Sequence, residues 1–429
     1  MDLVIFEDSS NLNFAPLTLT RPVYELRVGT STIREKLLEA FRPDGRVVTF
    51  CRDHLREIAL MTEASTHVND ADVIGDEVLL INGSLIPRGE LTDVIKSLRR
   101  GSCITSRGRV VAARLGRAPL DDPHLSSSLM GGDVLRAIAP HVSELSQRDD
   151  AMLLNYPWEL IYASTELLQE ETRSSVGLES SGEVHDSVII LGDRRRLYVG
   201  EAAVVEAFSV IDVRRGPVYV GERAHVQSHS RIEGPAYLGR DCIVFGAQIR
   251  GGCSVGDNCR IGGEVEATVF HPHSNKRHYG YIGHSYIGEW VNIGAGTTIS
   301  NMKNTYGTVR VTLNGQRIDS GKTFLGAFVA DHVKTAIGTY IFSGKRIGVA
   351  SHLYGLVTED VPSFTSYQRN LNGKLVEIAI DSVVISARRM MKRRNLDISA
   401  AHEKLLREVF ELTKAERAIA KVMRDRLSI

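Results

Sequence analysis

A six-residue spacing of aliphatic side chains is the feature that most restricts how this chain can fold. The series comprises Val220, Val226, Ile232 and Leu238, then Ile249, Val255 and Ile261, then Ile287, Ile293 and Ile299. A fixed period of six residues is typical of a parallel β-helix, in which three short sides close one triangular coil and the aliphatic side chains stack inward. A β-sandwich with chance spacing is the alternative, and sustained runs at one period argue against it.

The six-residue pattern predicts a β-helix domain over residues 183–358. Two stretches, 268–281 and 300–323, break the period, and both are polar and rich in basic or amide side chains. Loops held on a rigid scaffold are where binding and chemistry concentrate. We therefore expect these two stretches to interrupt the coils and to carry functional residues.

On each side of the predicted β-helix, the sequence has hydrophobic patterns other than the six-residue period. Compact apolar runs at residues 3–6, 47–50 and 78–81 are typical of buried strands, and residues 32–41 and 53–61 have helical spacing. Alternating strands and helices predict an α/β domain over residues 1–175. Residues 359–429 regain helical spacing and form a predicted C-terminal helical extension.

Composition excludes several functional classes. Lys and Arg together number 52, as do Asp and Glu, so no net charge draws the chain to nucleic acid or to an anionic membrane. The five cysteines are scattered and form no CxxC pair, which disfavours a disulfide framework or a zinc site. No stretch approaches the ~20 apolar residues of a membrane span. The apolar run near the N-terminus is too short for a signal peptide. The expected compartment is the cytoplasm.

Two motifs resemble a known family. The run 278–283, followed by 287–297 and by Asn301, is similar to the acetyltransferase half of the bifunctional N-acetylglucosamine-1-phosphate uridyltransferase/glucosamine-1-phosphate N-acetyltransferase family. Residues 16–22 and 25–29 resemble a divergent branch with a shortened, Rossmann-like sugar-nucleotidyltransferase domain. The resemblance implies a left-handed parallel β-helix that binds acetyl-CoA and assembles as a homotrimer.

The resemblance also implies roles for individual residues. His278 corresponds to the general base, whose unperturbed pKa of ~6.5 suits proton transfer near neutral pH. Asn301 corresponds to a residue that orients the base or contacts the reacting centre. Tyr281, Asn292 and Arg250 correspond to residues that bind the sugar phosphate. The structural alternatives are a surface histidine at 278 and a turn-forming amide at 292.

One phosphate-binding position of the family is not retained. A lysine of the family, eighteen residues after the arginine, corresponds here to Thr268. The expected replacements are basic residues of the two predicted loops, with Lys276 and Lys303 as the first candidates.

The family's acetyl-CoA site corresponds to a series of small residues. The backbone N–H near Ala295 is the expected oxyanion donor. The flanking Gly294 and Gly296 are expected to allow a ligand close to the backbone. Ala327 and Ala350 correspond to positions that line the acetyl-CoA groove.

The N-terminal domain departs from its family at the phosphate and metal positions. The first strand is followed by residues 7–11, which contain no glycine, so Arg21 and Arg27 are the expected phosphate ligands. Ser84 stands where the family has a metal-binding carboxylate, and Mg²⁺ prefers carboxylate oxygens. Asn155 and Asp8 remain as candidate ligands for an Mg²⁺ ion that would serve nucleotidyl transfer.

Three functions stay open at this point. The first is a bifunctional enzyme that acetylates glucosamine-1-phosphate and then makes UDP-N-acetylglucosamine or a related nucleotide sugar. The second is an enzyme with one of these activities and one inactive domain. The third is a non-catalytic regulatory protein that binds nucleotide sugars. All three act on small molecules and require neither nucleic acid nor a membrane.

Overall fold

The computed structural model describes residues 1–63, 66–178 and 180–425 in two compact units. The N-terminal unit comprises residues 1–26, 31–156 and 400–405, and the β-helix unit comprises the rest. The predicted boundaries differ from this division in three places, one of which is residues 400–405, which belong to the N-terminal unit. The segment 27–30 and the helix Pro157–Glu171 both belong to the β-helix unit.

The N-terminal unit is built on a mixed sheet, as the α/β prediction requires. Its central strand, Asp2–Asp8, is buried throughout and pairs in parallel with Val47–Phe50 and Glu77–Asn82. The full strand order is Glu144–Gln147, Ser102–Ser106, Arg109–Gly116, Glu77–Asn82, Asp2–Asp8, Val47–Phe50 and His67–Val68, with Met130–Gly132 also on the central strand. The strand Arg109–Gly116 is antiparallel to both of its neighbours.

Helices cover this sheet. They are Ile33–Phe41, Arg56–Thr62, Gly89–Lys96, Pro123–Ser128 and Val134–Ile138. The first begins at a capping box, because the Thr32 side chain accepts from the backbone N–H of Glu35 while the Glu35 side chain accepts from that of Thr32. The predicted strands and helices of this unit are thus confirmed to within a few residues.

The second unit is a parallel β-helix with three faces. The first face consists of Glu183–Val184, Val204–Val205, His225–Val226, the starts of Ile243–Ile249 and Arg260–Glu266, Asn275–Lys276, Lys334–Thr335, His352–Leu353 and Thr365–Gln368. The second consists of Ile189–Leu191, Val210–Asp212, Arg231–Glu233, the ends of the same two long strands, Tyr281–Gly283, Thr298–Ile299, Tyr340–Ile341 and Leu356–Val357. The third consists of Leu197–Val199, Val218–Val220, Ala236–Leu238, Cys253–Val255, Val269–Phe270, Tyr286–Ile287, Phe328–Val329 and Arg346–Ile347.

The six-residue period corresponds to one step from face to face. Val226 lies on the first face, Ile232 on the second and Leu238 on the third, and each is fully buried. Stacks of such residues run along the axis, as in the registered series Val265, Ile282 and Ile299 on the second face. The parallel β-helix predicted from the period is therefore the architecture of this unit, in agreement with the left-handed parallel β-helix that the resemblance implies.

One of the two predicted interruptions is correct and the other is wrong. Residues 300–323 leave the coil and form a hairpin from Arg310–Leu313 and Gln316–Asp319. Residues 268–281 instead continue the coil, with Phe270 and Lys276 in register with residues of the previous turn. The period was hidden here because a lysine stands where the pattern calls for an aliphatic residue.

Lys276 is an interior lysine of the β-helix. It is 1% exposed and pairs in register with Ile261, and its Nζ donates to the carbonyl oxygens of Gly262 at 2.8 Å and His278 at 2.7 Å. Burial lowers the pKa of Lys276 from 10.5 to about 8. Two backbone acceptors thus partly replace the water that this ammonium group loses. The prediction that Lys276 contacts a phosphate does not agree with this buried position.

The C-terminal extension contains the antiparallel strands Thr365–Gln368 and Lys374–Glu377 and the helices Ile380–Lys392, Ala400–Leu412 and Lys414–Ile419. Arg417 is 3% exposed, donates to Glu377 at 2.8 Å, and lies over the Phe410 ring. Of the helices in the described ranges, none combines the length and the hydropathy that a membrane span requires.

The aliphatic stack can be tested by truncating one member. Ile282→Ala should lower the free energy of unfolding of the β-helix unit by roughly 2–5 kcal/mol, because Ile282 is fully buried between Val265 and Ile299. Ile419, which is 83% exposed, is the control, and Ile419→Ala should change stability by less than about 0.5 kcal/mol. Urea denaturation followed by circular dichroism measures both, and equal effects would contradict the stacking.

The interior lysine predicts a pH effect on stability. Because the pKa of Lys276 is lower in the folded state, the unfolded chain binds more protons between about pH 8 and pH 10.5, and the stability contribution of Lys276 rises over that window. The melting temperature of the wild type relative to Lys276→Met should therefore increase from about pH 7.5 to about pH 10. A constant or falling difference between the two proteins would show that Lys276 does not lose its proton in this range.

Candidate functional site

A hydrogen-bonded network of polar side chains lies on the second face of the β-helix. Tyr281 Oη donates to Glu266 Oε2 at 2.9 Å, and Asn301 Nδ2 donates to Tyr281 Oη at 2.7 Å. The same Asn301 nitrogen lies 3.0 Å from Nδ1 of His284. The structure brings two predicted residues, Tyr281 and Asn301, together with two that the sequence analysis missed, Glu266 and His284.

His284 is held in a partly apolar niche. Its ring stacks on Phe324 with 5.4 Å between centroids and is tilted to Tyr162 at 6.2 Å, and Tyr162 Oη donates to the carbonyl oxygen of Phe324. Burial lowers the pKa of His284, so the ring is neutral near pH 7. Because Asn301 donates to Nδ1, the proton of the neutral ring is assigned to Nε2, which becomes a hydrogen-bond donor.

The length of one coil explains why Glu266 and His284 belong to this network. Glu264 and Tyr281 are registered neighbours, as are Glu266 and Gly283, and each pair is separated by 17 residues. His284 and Asn301 are separated by the same number. Comparing residues that are one coil of 17 residues apart, and not one face of six residues apart, would have placed Glu266 and His284 beside the family motif.

His278 lies in the corner that precedes Tyr281. Its imidazole is exposed, and no hydrogen bond to it is formed by residues within the described ranges. Its backbone is fixed, because the carbonyl oxygen accepts from the buried Lys276. A general base needs access to substrate, and this position combines an open side chain with a held main chain.

Charged side chains extend from the network along the second face. Arg250 Nε lies 2.6 Å from Glu264 Oε1, and further back Arg231 pairs with both Asp212 and Glu233. Arg250 is therefore already engaged with a carboxylate. Glu264 and Glu266 give the surface beside Tyr281 an acidic character, which favours a cationic group over a phosphate there.

Asn292 lies on a different face from Tyr281. It bridges Asn275 and Lys334 on the first face, and Asn275 Nδ2 donates to Asn292 Oδ1 at 2.7 Å. Burial lowers the pKa of Lys334 to about 8, and its Nζ donates to the carbonyl oxygen of His332. Asn292 thus belongs to a polar ladder between coils and forms no hydrogen bond with Tyr281 or Asn301.

The positions expected to bind acetyl-CoA differ in accessibility. Ala327 is fully buried in the β-helix core, and Ala350 is 1% exposed at a corner with φ of 56°. Neither residue is open to solvent in this chain. Ala295 is only half-buried and keeps a place in the candidate site.

The glycines beside Ala295 form close contacts and hydrogen bonds with other residues of the protein. Gly296 has φ of 75°, and a Cβ at this position would lie 3.1 Å from Tyr279 Oη. The Gly294 N–H donates to Thr335 Oγ1 and the Gly296 N–H donates to the Tyr279 carbonyl oxygen. The close approach predicted for a ligand is therefore made by Tyr279.

In the N-terminal unit, Asp8 ends the central strand in a dense polar cluster. Its carboxylate accepts from Ser10 N and Oγ, from Asn82 Nδ2, and from Arg109 Nε and Nη2. Burial alone would raise the pKa of Asp8, but the Arg109 guanidinium and these hydrogen bonds hold it below its usual value. Ser84 also accepts from Arg109 Nη2, at 2.7 Å.

These residues do not fit a magnesium ion. An ionised carboxylate offers about four lone-pair directions, and Asp8 already accepts five hydrogen bonds. Asn155 Oδ1 accepts from Asn13 at 3.2 Å. Within the described ranges, no group of three or more His, Cys, Asp or Glu side chains is arranged to hold a metal. No step of the chemistry below is assigned to a metal at Asp8 or Asn155.

The remaining predicted ligands are spread over both units. Arg27 belongs to the β-helix unit, where it is 8% exposed, donates to Ser254 Oγ at 3.0 Å and lies over the Tyr237 ring. It anchors the segment 27–30 instead of facing a nucleotide. Arg21 lies in the N-terminal unit, where its carbonyl oxygen accepts from Arg52. Lys303 lies in the loop after Asn301, half-buried near Gly307.

Parts of the chain are similar to known proteins. Residues 3–175 match a family described as sugar nucleotidyl transferase. A bifunctional sugar-1-phosphate nucleotidylyltransferase/acetyltransferase from Sulfurisphaera tokodaii is 41% identical over 100 residues, which cover 23% of this chain and 25% of that protein. The bifunctional protein GlmU of Herminiimonas arsenicoxydans is 31% identical over 149 residues, or 34% of this chain and 29% of that protein.

Among solved structures, a UDP-N-acetylglucosamine acyltransferase from Francisella novicida is 16% identical with a TM-score of 0.25, over 57% of this chain and 87% of that chain. The chain spans less than a third of the length of the two curated relatives. Over part of its length the chain is therefore similar to sugar nucleotidyl transferases and to the bifunctional sugar-1-phosphate nucleotidylyltransferase/acetyltransferases.

Proposed function

We propose that the β-helix unit transfers an acetyl group from acetyl-CoA to the amine of a sugar phosphate, with glucosamine-1-phosphate as the first candidate acceptor. We propose further that the N-terminal unit couples the acetylated sugar phosphate to a nucleotide, giving UDP-N-acetylglucosamine or a related nucleotide sugar. The observation that carries the proposal is the contact of Tyr281 with Asn301 inside the recognised motif. The names of the relatives support the pairing of the two activities.

Acetyl transfer requires a bond between the sugar nitrogen and the thioester carbon, with loss of the carbon–sulfur bond. In this proposal His278 takes a proton from the attacking amine, and that proton passes to the CoA sulfur as it leaves. The developing oxyanion accepts from the backbone N–H near Ala295. Asn301 holds Tyr281 and the neutral His284 in place, and His284 offers its Nε2–H to the reacting groups.

The acidic surface sets the orientation of the acceptor in the proposed site. The amine of an amino sugar arrives as an ammonium ion, which the carboxylate of Glu266 attracts, and it releases one proton to water before the neutral amine attacks the thioester. The phosphate then points away from Glu264 and Glu266, toward basic residues of the later loop such as Lys303. This arrangement differs from a phosphate bound by Tyr281 and Arg250, since Arg250 is paired with Glu264.

We propose a homotrimer in the cytoplasm as the working state. Apolar side chains cluster on the later coils of the β-helix, where Ile337 is 79%, Tyr340 53% and Phe342 48% exposed. Exposed apolar patches of this kind are typical of contacts between copies of a chain. The proposed trimer would bury them.

The first experiment is an assay of both half-reactions with the purified chain. CoA should be released from acetyl-CoA with glucosamine-1-phosphate, and pyrophosphate from UTP with N-acetylglucosamine-1-phosphate and Mg²⁺. His278→Ala should lower the rate of CoA release by ~10²-fold or more while acetyl-CoA still binds.

His229 is the matched control, because it is an exposed histidine at another corner of the same β-helix, and His229→Ala should leave CoA release unchanged. Full activity of His278→Ala would contradict its role as the base. CoA release without pyrophosphate would restrict the chain to acetyl transfer, and silence in both halves would favour a nucleotide-sugar-binding regulator.

The proposed orientation of the acceptor predicts that KM rises when the charge of Glu266 is removed. Binding of the phosphate at Tyr281 would predict that KM falls. Glu266→Gln keeps an acceptor for Tyr281 Oη but removes the negative charge, so KM for the amino sugar should rise roughly threefold to tenfold. Steady-state kinetics at fixed acetyl-CoA measure the change. Glu233→Gln, on the same face but in an earlier coil, is the control. A fall in KM for Glu266→Gln would place the phosphate beside Tyr281.

A further inference from the structure

The guanidinium group of Arg109 connects the positions at which the sequence analysis expects the ligands of a metal ion. Arg109 Nε and Nη2 donate to the two carboxylate oxygens of Asp8, at 2.8 and 3.1 Å. Nη2 also donates to Ser84 Oγ at 2.7 Å, and Nη1 donates to the carbonyl oxygen of Leu154 at 2.8 Å. Leu154 directly precedes Asn155, the other candidate metal ligand.

The topology of the sheet puts this cation at the edge where ligands bind. Asp8 ends the central strand, and Ser84 follows the parallel strand Glu77–Asn82. Arg109 begins the strand that runs antiparallel to Glu77–Asn82, so it lies at the same edge. In open α/β sheets, ligands bind outside the carboxyl ends of the parallel strands.

Most, but not all, N–H groups of the Arg109 guanidinium donate hydrogen bonds within the protein. Of its five N–H groups, four donate to the described oxygens, and its side chain is 17% exposed. One Nη1 hydrogen remains for a ligand. Nearby, Asn11 donates to the carbonyl oxygen of Asp8, and its own Oδ1 is buried without a partner among the described residues. The edge therefore offers both a cationic donor and an unused acceptor.

We propose that Arg109 is the built-in cation of the N-terminal unit and occupies the place of a divalent metal, so that this unit binds a nucleotide sugar without Mg²⁺. The phosphate takes the remaining N–H of Arg109, and a hydroxyl or amide N–H of the ligand takes Asn11 Oδ1. An arginine is the side chain suited to this role, because its planar fork holds a carboxylate on one side and keeps its charge at any physiological pH. The inference rests on the proposed nucleotide-sugar chemistry of this unit.

The first test uses the full-length protein and UDP-N-acetylglucosamine as the probe. Isothermal titration calorimetry in Mg²⁺ and in EDTA should give dissociation constants that agree within about twofold. Binding that weakens about tenfold or more in EDTA would overturn the proposal. If the nucleotide sugar binds in neither condition, the proposed nucleotidyl activity fails, and the role of Arg109 is decided by the metal titration below.

The second test asks whether removing the guanidinium opens a metal site. Mn²⁺ should not raise the melting temperature of the wild type, whereas it should raise that of Arg109→Ser, which releases the oxygens of Asp8 and Ser84. Arg114 is the matched control, because it lies on the same strand and pairs with Glu77 at 3.0 Å. Arg114→Ser should gain no response to Mn²⁺.

Two further variants keep the metal test decisive. Arg109→Lys retains the charge, and if Arg109→Ser does not fold, the lysine variant should fold and remain unresponsive to Mn²⁺. Mn²⁺ binding by the wild type that Asp8→Asn abolishes would overturn the proposal, because it would place a metal where Arg109 is inferred to stand.

Discussion

The inward stack of aliphatic side chains along the β-helix is the constraint on which the candidate site depends. Val265, Ile282 and Ile299 lie in register on successive coils, and each is buried. Their burial fixes which residue of one coil lies beside which residue of the next, since a slip of one residue would turn every side chain to the wrong side of the strand. The contact of Tyr281 with Glu266 on the outer surface follows from this register, because the same strands carry inner and outer residues in alternation.

Two cations depart from the patterns around them, and both are held by oxygen atoms. Lys276 replaces an aliphatic member of the stack and is bound by two carbonyl oxygens, while Arg109 replaces a metal and is bound by Asp8, Ser84 and a carbonyl oxygen. A buried charge is tolerated only where such partners replace its hydration. In the first case the cation holds the main chain of His278, and in the second it makes a metal unnecessary at the sheet edge.

The family motif predicted part of the candidate site. Tyr281 and Asn301 are in contact, as residues with a shared role would be, and His278 is exposed in the corner that precedes Tyr281. Asn292 lies on another face, and Ala327 is inside the core, because a match along the chain does not record which face a residue occupies after a corner or an insertion. Glu266 and His284 were missed because their link to the motif is a distance of one coil, not a local pattern.

The sequence by itself determined that the chain combines an α/β unit with a parallel β-helix, because alternation of strands and helices and a six-residue aliphatic period are local properties of the chain. The tertiary structure decided which residues meet between coils. Val205 and Val226 are registered 21 residues apart, but Ile282 and Ile299 only 17. The length of a coil depends on how many residues each corner absorbs, and a corner leaves no periodic signal. The bond between Arg109 and Asp8 likewise joins strands far apart in the chain, and only the order of strands in the sheet brings them together.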